Sequence, residues 1–197
     1  MHGDNFSYLI ADETTKEAVI IDPGFDTDEL QTMLNKEDLH LTLIINTHDH
    51  IDHVVGNDAL KLRLGAKTVS HQLSKITTDA RVNDGDLLKL GNIVIKILYT
   101  PGHSADSISL LVDDKKLMTG DVLFVGRIGN SHLSGGDPKS LYDSLFGKLL
   151  NLADDVEVYP PHDRGTKPSS TLGEEKRSNT ALKSQSYEEF VESTKQT

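Results

Sequence analysis

Cysteine and tryptophan are both absent from this 197-residue chain. Without thiols, disulfides and thiolate metal sites are excluded, and the composition suits a cytoplasmic placement. Aromatic residues make up 5 % and hydrophobic residues 36 %, which points to a core of Ile, Leu and Val. Long apolar runs are missing as well: Leu41-Thr42-Leu43-Ile44-Ile45 falls far short of the ~18 residues a membrane helix needs. The opening Met1-His2-Gly3-Asp4 lacks the basic stretch and apolar core of a signal peptide. Positive charge is scarce, with 20 Lys and Arg against 31 Asp and Glu and a formal net charge of -11. Such a chain repels phosphate backbones and anionic lipid unless its basic residues cluster, so neither nucleic acid nor membrane is an expected partner. The length suits one domain over residues 1–197, with a polar tail from about residue 165.

Short strands dominate the first half. Phe6 to Ala11 and Glu17 to Asp22 read as strands, the second stopped by Pro23-Gly24. Leu30, Met33 and Leu34 share a face of a helix over Asp26 to Lys36, and Asn57 to Leu64 forms another, ended by Gly65. Leu41 to Asn46 is continuously apolar, as in a strand covered on both faces; a polar, His-rich loop runs from there to about Asp52. Further strands are expected at Lys67–Ser70, Ile93–Tyr99, Ser107–Val112, Lys115–Thr119 and Val156–Tyr159. Asp137-Pro138 opens a helix running from about Lys139 to Leu152, and Tyr187 to Val191 adds a helical turn or two. Pattern alone gives an α/β or α+β class.

The chemistry concentrates in Thr47-His48-Asp49-His50-Ile51-Asp52-His53, directly after the buried-looking strand. Open sheets place ligands at strand carboxyl ends. Extended backbone there puts His48 and His50 on one side, able to grip one ion, while Asp52 and His53 face a second. Imidazole and carboxylate donors suit Zn, Fe or Mn. Three more strand ends deliver the same donor types: His103 after Thr100-Pro101-Gly102, Asp121 after Thr119-Gly120, and His162 after Pro160-Pro161. Four strand ends all bearing His or Asp form a constellation.

These residues resemble the metallo-β-lactamase fold, whose pattern is H-x-H-x-D-H followed by a His, an Asp and a last His. The resemblance runs from about Asn5 to Asn179 and implies a four-layer αββα sandwich with a metal site between the sheets. It further implies that His48, His50 and His103 hold one ion and that Asp52, His53 and His162 hold another, with Asp121 bridging. True β-lactamases generally carry Cys where Asp121 stands, and flavodiiron proteins a Glu where His50 stands. Thr100 to Ser104, Thr119 to Phe124 and Ser170 to Asn179 resemble the branch shared by glyoxalase II and the persulfide dioxygenases.

Two activities compete for one ligand set. The first expectation is a hydrolase in which two zinc-like ions (Zn, Fe or Mn) hold a hydroxide that attacks a hydroxyacylglutathione-like thioester. Asp52 or Asp121 then orients the water and relays its proton. The alternative is a dioxygenase with one Fe(II) at His48, His103 and Asp121, oxidising a thiol persulfide to sulfite. Leu141 to Leu145 and His162-Asp163 resemble the dioxygenases. Gly129-Asn130-Ser131-His132 departs from their usual G-R-x-D, and Arg164 stands where some carry Tyr. Only some thirty polar residues follow His162, less than the helical domain of glyoxalase II. A third possibility is a non-catalytic metal-binding module of the same fold. Arg127, His132 and Arg164 are the candidate substrate residues. Asp22 is read as a turn residue, with a buttress for the metal loop as the alternative; His2, His40 and His71 are read as ordinary; and Glu174-Glu175-Lys176-Arg177 is read as a solvated helix face, with Lys176 or Arg177 reaching an anionic substrate as the alternative.

Overall fold

In the computed structural model, which describes residues 5–194, the first half builds one sheet. Its strands β1 (Tyr8–Ala11), β2 (Glu17–Ile21), β3 (His40–Ile45), β4 (Lys67–His71) and β5 (Ala80–Val82) lie side by side in chain order. β1 runs antiparallel to β2, and the remaining pairs are parallel. Parallel neighbours need crossovers. These are α1 (Thr27–Lys36), between β2 and β3, α2 (Ile51–Val54) with α3 (Asn57–Leu64), between β3 and β4, and a loop over 72–79 between β4 and β5.

The second sheet contains β6 (Leu87–Leu90), β7 (Ile93–Tyr99), β8 (Ile108–Val112) and β9 (Lys116–Met118), joined as antiparallel neighbours. A small hairpin of β10 (Leu123–Phe124) and β11 (Arg127–Ile128) leaves this sheet, which then continues through β12 (Glu157–Tyr159) and β13 (Ser170–Thr171). β12 is parallel to β9 and antiparallel to β13. Three helices complete this half: α4 (Pro138–Gly147), α5 (Leu172–Ser178) and α6 (Tyr187–Thr194).

The strand period of two sorts side chains between faces. Val19, Ile21, Ile45 and Val69 of the first sheet meet Ile95, Ile97, Leu110 and Met118 of the second in one buried cluster. The opposite face of the first sheet, with Ala18, Ile20 and Ile44, packs on Leu30 and Leu34 of α1 and Leu60 of α3. The outer face of the second, with Leu98, Leu111, Leu117 and Val158, packs on Leu141 and Leu145 of α4, Leu172 of α5 and Phe190 of α6. Helix, sheet, sheet, helix is the resulting order. Each such Ile or Leu contributes on the order of 1.5–3 kcal/mol by leaving water.

Some expectations need correction. The fourth helix stops at Gly147 instead of Leu152, because Lys148 leaves helical geometry at φ -131° and ψ -66°. The Lys148 ammonium donates to Asp84 Oδ1 and to the Tyr99 carbonyl, each at 2.7 Å, and a turn of 3₁₀ helix over Leu149–Asn151 follows. The polar loop after β3 coils into α2 at Ile51. Strands β5, β6, β10, β11 and β13 were not anticipated. Residues 166–194 fold back on the second sheet, burying Leu172, Leu182 and Phe190. The run Glu174 to Arg177 is not wholly solvated: Glu175 is 1 % exposed and accepts from Gly126 N, Ser170 Oγ and Asn179 Nδ2.

Candidate metal centre

The candidate ligands follow strand ends, Asp52 and His53 from the short helix α2 after β3, and local backbone geometry aims them. After β3 the chain bends at Thr47 and His48, which departs from the extended run expected there, and His50 is extended at φ -68° and ψ 145° before α2 begins. His103 follows Gly102, whose φ of +141° suits glycine and whose missing Cβ would sit 2.3 Å from Leu141 backbone atoms. Asp121 lies in the 3₁₀ turn Gly120–Val122 after β9, and His162 follows β12 through Pro160-Pro161. Both sheets therefore contribute, and the seven side chains meet at their common edge.

His48, His50 and His103 form one group of donor atoms, Asp52, His53 and His162 another, and Asp121 joins His48 and His53 in a third. His50 Nδ1 lies 3.0 Å from both His48 Nε2 and His103 Nε2. The His103 Nδ1–H donates to the Asn130 carbonyl at 2.9 Å. The His48 Nδ1–H donates to Thr47 Oγ1 at 3.1 Å, whose own hydroxyl donates to Asp22 Oδ2 at 2.6 Å. With those protons committed, both Nε2 atoms present lone pairs to His50, which can supply one proton at most. A cation among the three nitrogens satisfies all of them.

The second group leaves an equivalent deficit. Asp121 Oδ1 lies 3.4 Å from His53 Nε2 and 3.3 Å from His162 Nε2, while its Oδ2 lies 3.5 Å from His103 Nε2. Asp52 Oδ2 is 3.5 Å from His53 Nε2 and 3.7 Å from His162 Nε2. His53 Nε2 and Asp121 Oδ1 are buried without a hydrogen-bond partner, a costly state for polar atoms. Their donor chemistry fits a divalent ion, with Asp121 turning one oxygen toward each group.

Electrostatics agree with a site prepared for positive charge. Burial raises the Asp121 pKa, yet His162, His48, His53 and His103 hold it well below the ordinary carboxylate range. Burial works against a charged His53 too, but the Asp22 carboxylate, aided by Asp121 and Asp52, keeps its pKa up at about 9. Burial pulls His48 and His103 the other way, below the ordinary imidazole value. Asp52 is lowered against its own burial, by His53 and the Asn5 amide.

Two residues support the ligands: Asp22, for which the buttress is the second of two readings, and Asn5, which was not anticipated. Asp22 is a turn residue, at φ 50°, but it is 3 % exposed and does more than turn the chain. Its carboxylate accepts from Thr47 N at 2.7 Å, Thr47 Oγ1 at 2.6 Å and His53 Nδ1 at 3.1 Å. This leaves His53 Nε2 as the ligand atom, the usual way a carboxylate fixes an imidazole tautomer. The signal was available: β2 and β3 are parallel neighbours, so their carboxyl ends adjoin. Asn5 donates from Nδ2 to Asp52 Oδ2 at 3.1 Å and to the Asp52 carbonyl at 3.0 Å, a link across 47 residues with no local signature.

The remaining candidates lie apart from the ligands. His132 is exposed, its Nε2 3.4 Å from Thr194 Oγ1 on α6. Arg127 and Arg164 line a common cavity beside the β10–β11 hairpin. His71 stacks on Tyr99 with ring centroids 4.3 Å apart, His40 is exposed at the start of β3, and His2 lies outside the described residues. Among the described residues, no helix is long and apolar enough to cross a membrane.

Comparison with known proteins finds many relatives, among them these three. The human mitochondrial persulfide dioxygenase ETHE1 is 35 % identical over 189 residues, covering 94 % of this chain and 74 % of its own. The hydroxyacylglutathione hydrolase of Polaromonas sp. is 39 % identical over 165 residues, covering 81 % of this chain and 62 % of its own. The crystal structure of ETHE1 from Myxococcus xanthus superposes with a TM-score of 0.93 at 37 % identity, covering 98 % of this chain and 86 % of that one. These homologues are enzymes, and both activities weighed from the sequence occur among them. Residues 2–77 and 73–164 match the family described as the Metallo-beta-lactamase superfamily, and with the strand-end ligands, the helix–sheet–sheet–helix order and these relatives, the chain belongs to that superfamily.

Proposed function

We propose that this chain is an iron-dependent dioxygenase that oxidises a small-molecule thiol persulfide to sulfite. The observation that carries the reading is the reach of the likeness to ETHE1 from Myxococcus xanthus, which at 98 % of the chain takes in α5 and α6. The order of the two activities expected from the sequence is thereby exchanged.

His48, His103 and Asp121 are the residues we assign to the iron: two imidazoles and one carboxylate, which leave positions open for further ligands. When bound, the iron supplies oxygen activation. The protein's share is orientation and charge. Asn130 and Thr47 fix the tautomers of His103 and His48, so each presents Nε2 without rearrangement. Asp121 stays ionised despite burial, and His53 and His162 flank its Oδ1, restraining its rotation.

A second reading rests on a specific observation, the partnerless His53 Nε2 and Asp121 Oδ1. A second ion between Asp52, His53 and His162 would satisfy them and suit thioester hydrolysis, with Asp52 or Asp121 holding the proton taken from water. Metal analysis of protein purified without added metal separates the two. One iron per chain, with oxygen uptake on glutathione persulfide, supports the dioxygenase. Two zinc-like ions, with thiol release from S-lactoylglutathione and no oxygen uptake, transfers the assignment to hydrolysis. His53→Ala should then cripple a hydrolase and affect a dioxygenase less. Full activity on either substrate after complete chelation would overturn both enzyme readings.

A further inference from the structure

A cavity of about 710 Å³ lies between the β10–β11 turn, the loop after His162 and α5. Arg127, Arg164, Lys167 and Arg177 line it, set against Glu174 and Glu175. Three of the five arginines in the sequence thus face one cavity, in a chain whose net charge is -11. The other two are engaged elsewhere: Arg63 pairs with Asp28, and Arg81 donates to Ser70 Oγ and to the His71 and Ile76 carbonyls.

The two acids are already committed. Both Glu175 oxygens accept hydrogen bonds from Gly126 N, Ser170 Oγ and Asn179 Nδ2. Glu174 receives the Lys167 ammonium at 2.7 Å and caps α5 through Thr171 N. Among the described residues, the side chains of Arg127 and Arg177 close no ion pair; Arg177 acts on Asp154 and Glu174 only through longer-range attraction. With Lys167 on Glu174, the guanidinium groups of Arg127 and Arg177 remain to face an anion carrying two charges.

The cavity is coupled to the metal centre by short contacts. Arg164 follows His162 by two residues, and its guanidinium sits 5.7 Å over the Phe124 ring, which in turn lies 5.9 Å from the His162 ring. Gly165 lets the loop press on the hairpin turn, because a Cβ there would meet Val125 Cβ at 2.7 Å. The cavity thus lies beside the loop that carries His162, with the buried Phe124 ring packed between the Arg164 guanidinium and the His162 ring.

We propose that this cavity binds the end of the substrate thiol remote from its sulfur, and that it selects thiols carrying phosphoryl groups there. A carboxylate has one charge and is met by a single guanidinium fork. A phosphoryl group has nearly two charges and three acceptor oxygens, enough to engage several arginines together. The proposal rests on the persulfide reading for the identity of the reacting sulfur.

The test compares coenzyme A persulfide, which ends in phosphoryl groups, with glutathione persulfide, which ends in carboxylates. Calorimetric titration of 3′,5′-ADP, a thiol-free phosphoryl anion, accompanies the kinetics. The wild-type enzyme should favour coenzyme A persulfide in kcat/KM by at least about tenfold, or ~1.4 kcal/mol. Arg127→Gln and Arg177→Gln should each raise KM for that substrate about tenfold, the change falling on KM and not kcat, and weaken 3′,5′-ADP binding to a similar degree. Equal KM values for both substrates that neither variant alters, or absence of 3′,5′-ADP binding, would overturn the proposal. So would inorganic phosphate binding as tightly as 3′,5′-ADP, which marks a free-phosphate site. Binding that the variants abolish, with no oxygen uptake on any persulfide, would retain the phosphoryl site and reject the persulfide reading instead. Oxygen uptake on glutathione persulfide alone does the reverse.

Discussion

Changing Asp22 to Asn keeps the side-chain volume and a residue type that tolerates the left-handed backbone at φ 50°. Only the hydrogen-bond polarity changes. Asp offers acceptors to three donors, on Thr47 N, Thr47 Oγ1 and His53 Nδ1; Asn offers one acceptor and one NH₂. With its oxygen kept on Thr47 N, its NH₂ faces His53 Nδ1, which must then accept. The ring proton moves to Nε2, the atom turned toward Asp52 and Asp121, and the lone pair needed for an ion is lost. Loss of such an outer partner typically costs 10–100-fold in metal affinity. The altered buried bonds should cost a further ~1–3 kcal/mol of folding stability, at about 2–4 °C of Tm per kcal/mol for a chain of this size. Competition against a chelator reads the first effect, and urea denaturation of the metal-free protein reads the second. Wild-type zinc affinity together with an unchanged urea midpoint would refute the reasoning.

Other expectations follow from the same geometry. His103→Ala and Asp121→Ala should each abolish turnover while leaving the far-ultraviolet circular dichroism unchanged; full activity in either variant rejects the ligand assignment. Phe190→Ala removes a fully buried ring 5.3 Å from Tyr142 and 5.9 Å from Phe146, centroid to centroid. It should cost about 3–5 kcal/mol in urea denaturation, and a loss below ~1 kcal/mol would mean that α6 adds little to this core. Asp12 accepts from the backbone of Thr15, Asn92 and Thr14, which lowers its pKa from 3.8 to about 2. A depressed acid contributes stability above its unfolded pKa and loses it as pH falls through the folded one. The stability gap between wild type and Asp12→Asn should therefore be full at pH 5 and close between about pH 4 and pH 2; a gap that persists at pH 2 contradicts this.

Legibility in the sequence followed the range of the interactions involved. β7 and α3 have the limits read from their apolar patterns, because periodicity and a glycine stop are local properties. The strand ends bearing His48, His103, Asp121 and His162 were equally plain. β10 and β11, two residues each, are too short to carry a period. Asp22 looked like punctuation because its partners stand 25 and 31 residues away. Glu175 was hidden in a charge run, although Leu172, Glu175 and Asn179 share a helical face and all are buried. Spacing identifies such a face, but the packing partner decides that it turns inward.

One practical consequence comes from the first described residues. Asn5 pairs with His162, Phe6 N donates to the Pro161 carbonyl, and the Tyr8 hydroxyl donates to the Pro160 carbonyl. An affinity tag joined ahead of residue 5 would accordingly start near His162 and Asp52, two of the candidate ligands of the second group. A polyhistidine tag there would bring competing imidazoles to the rim, so metal content and kinetics are best measured after its proteolytic removal.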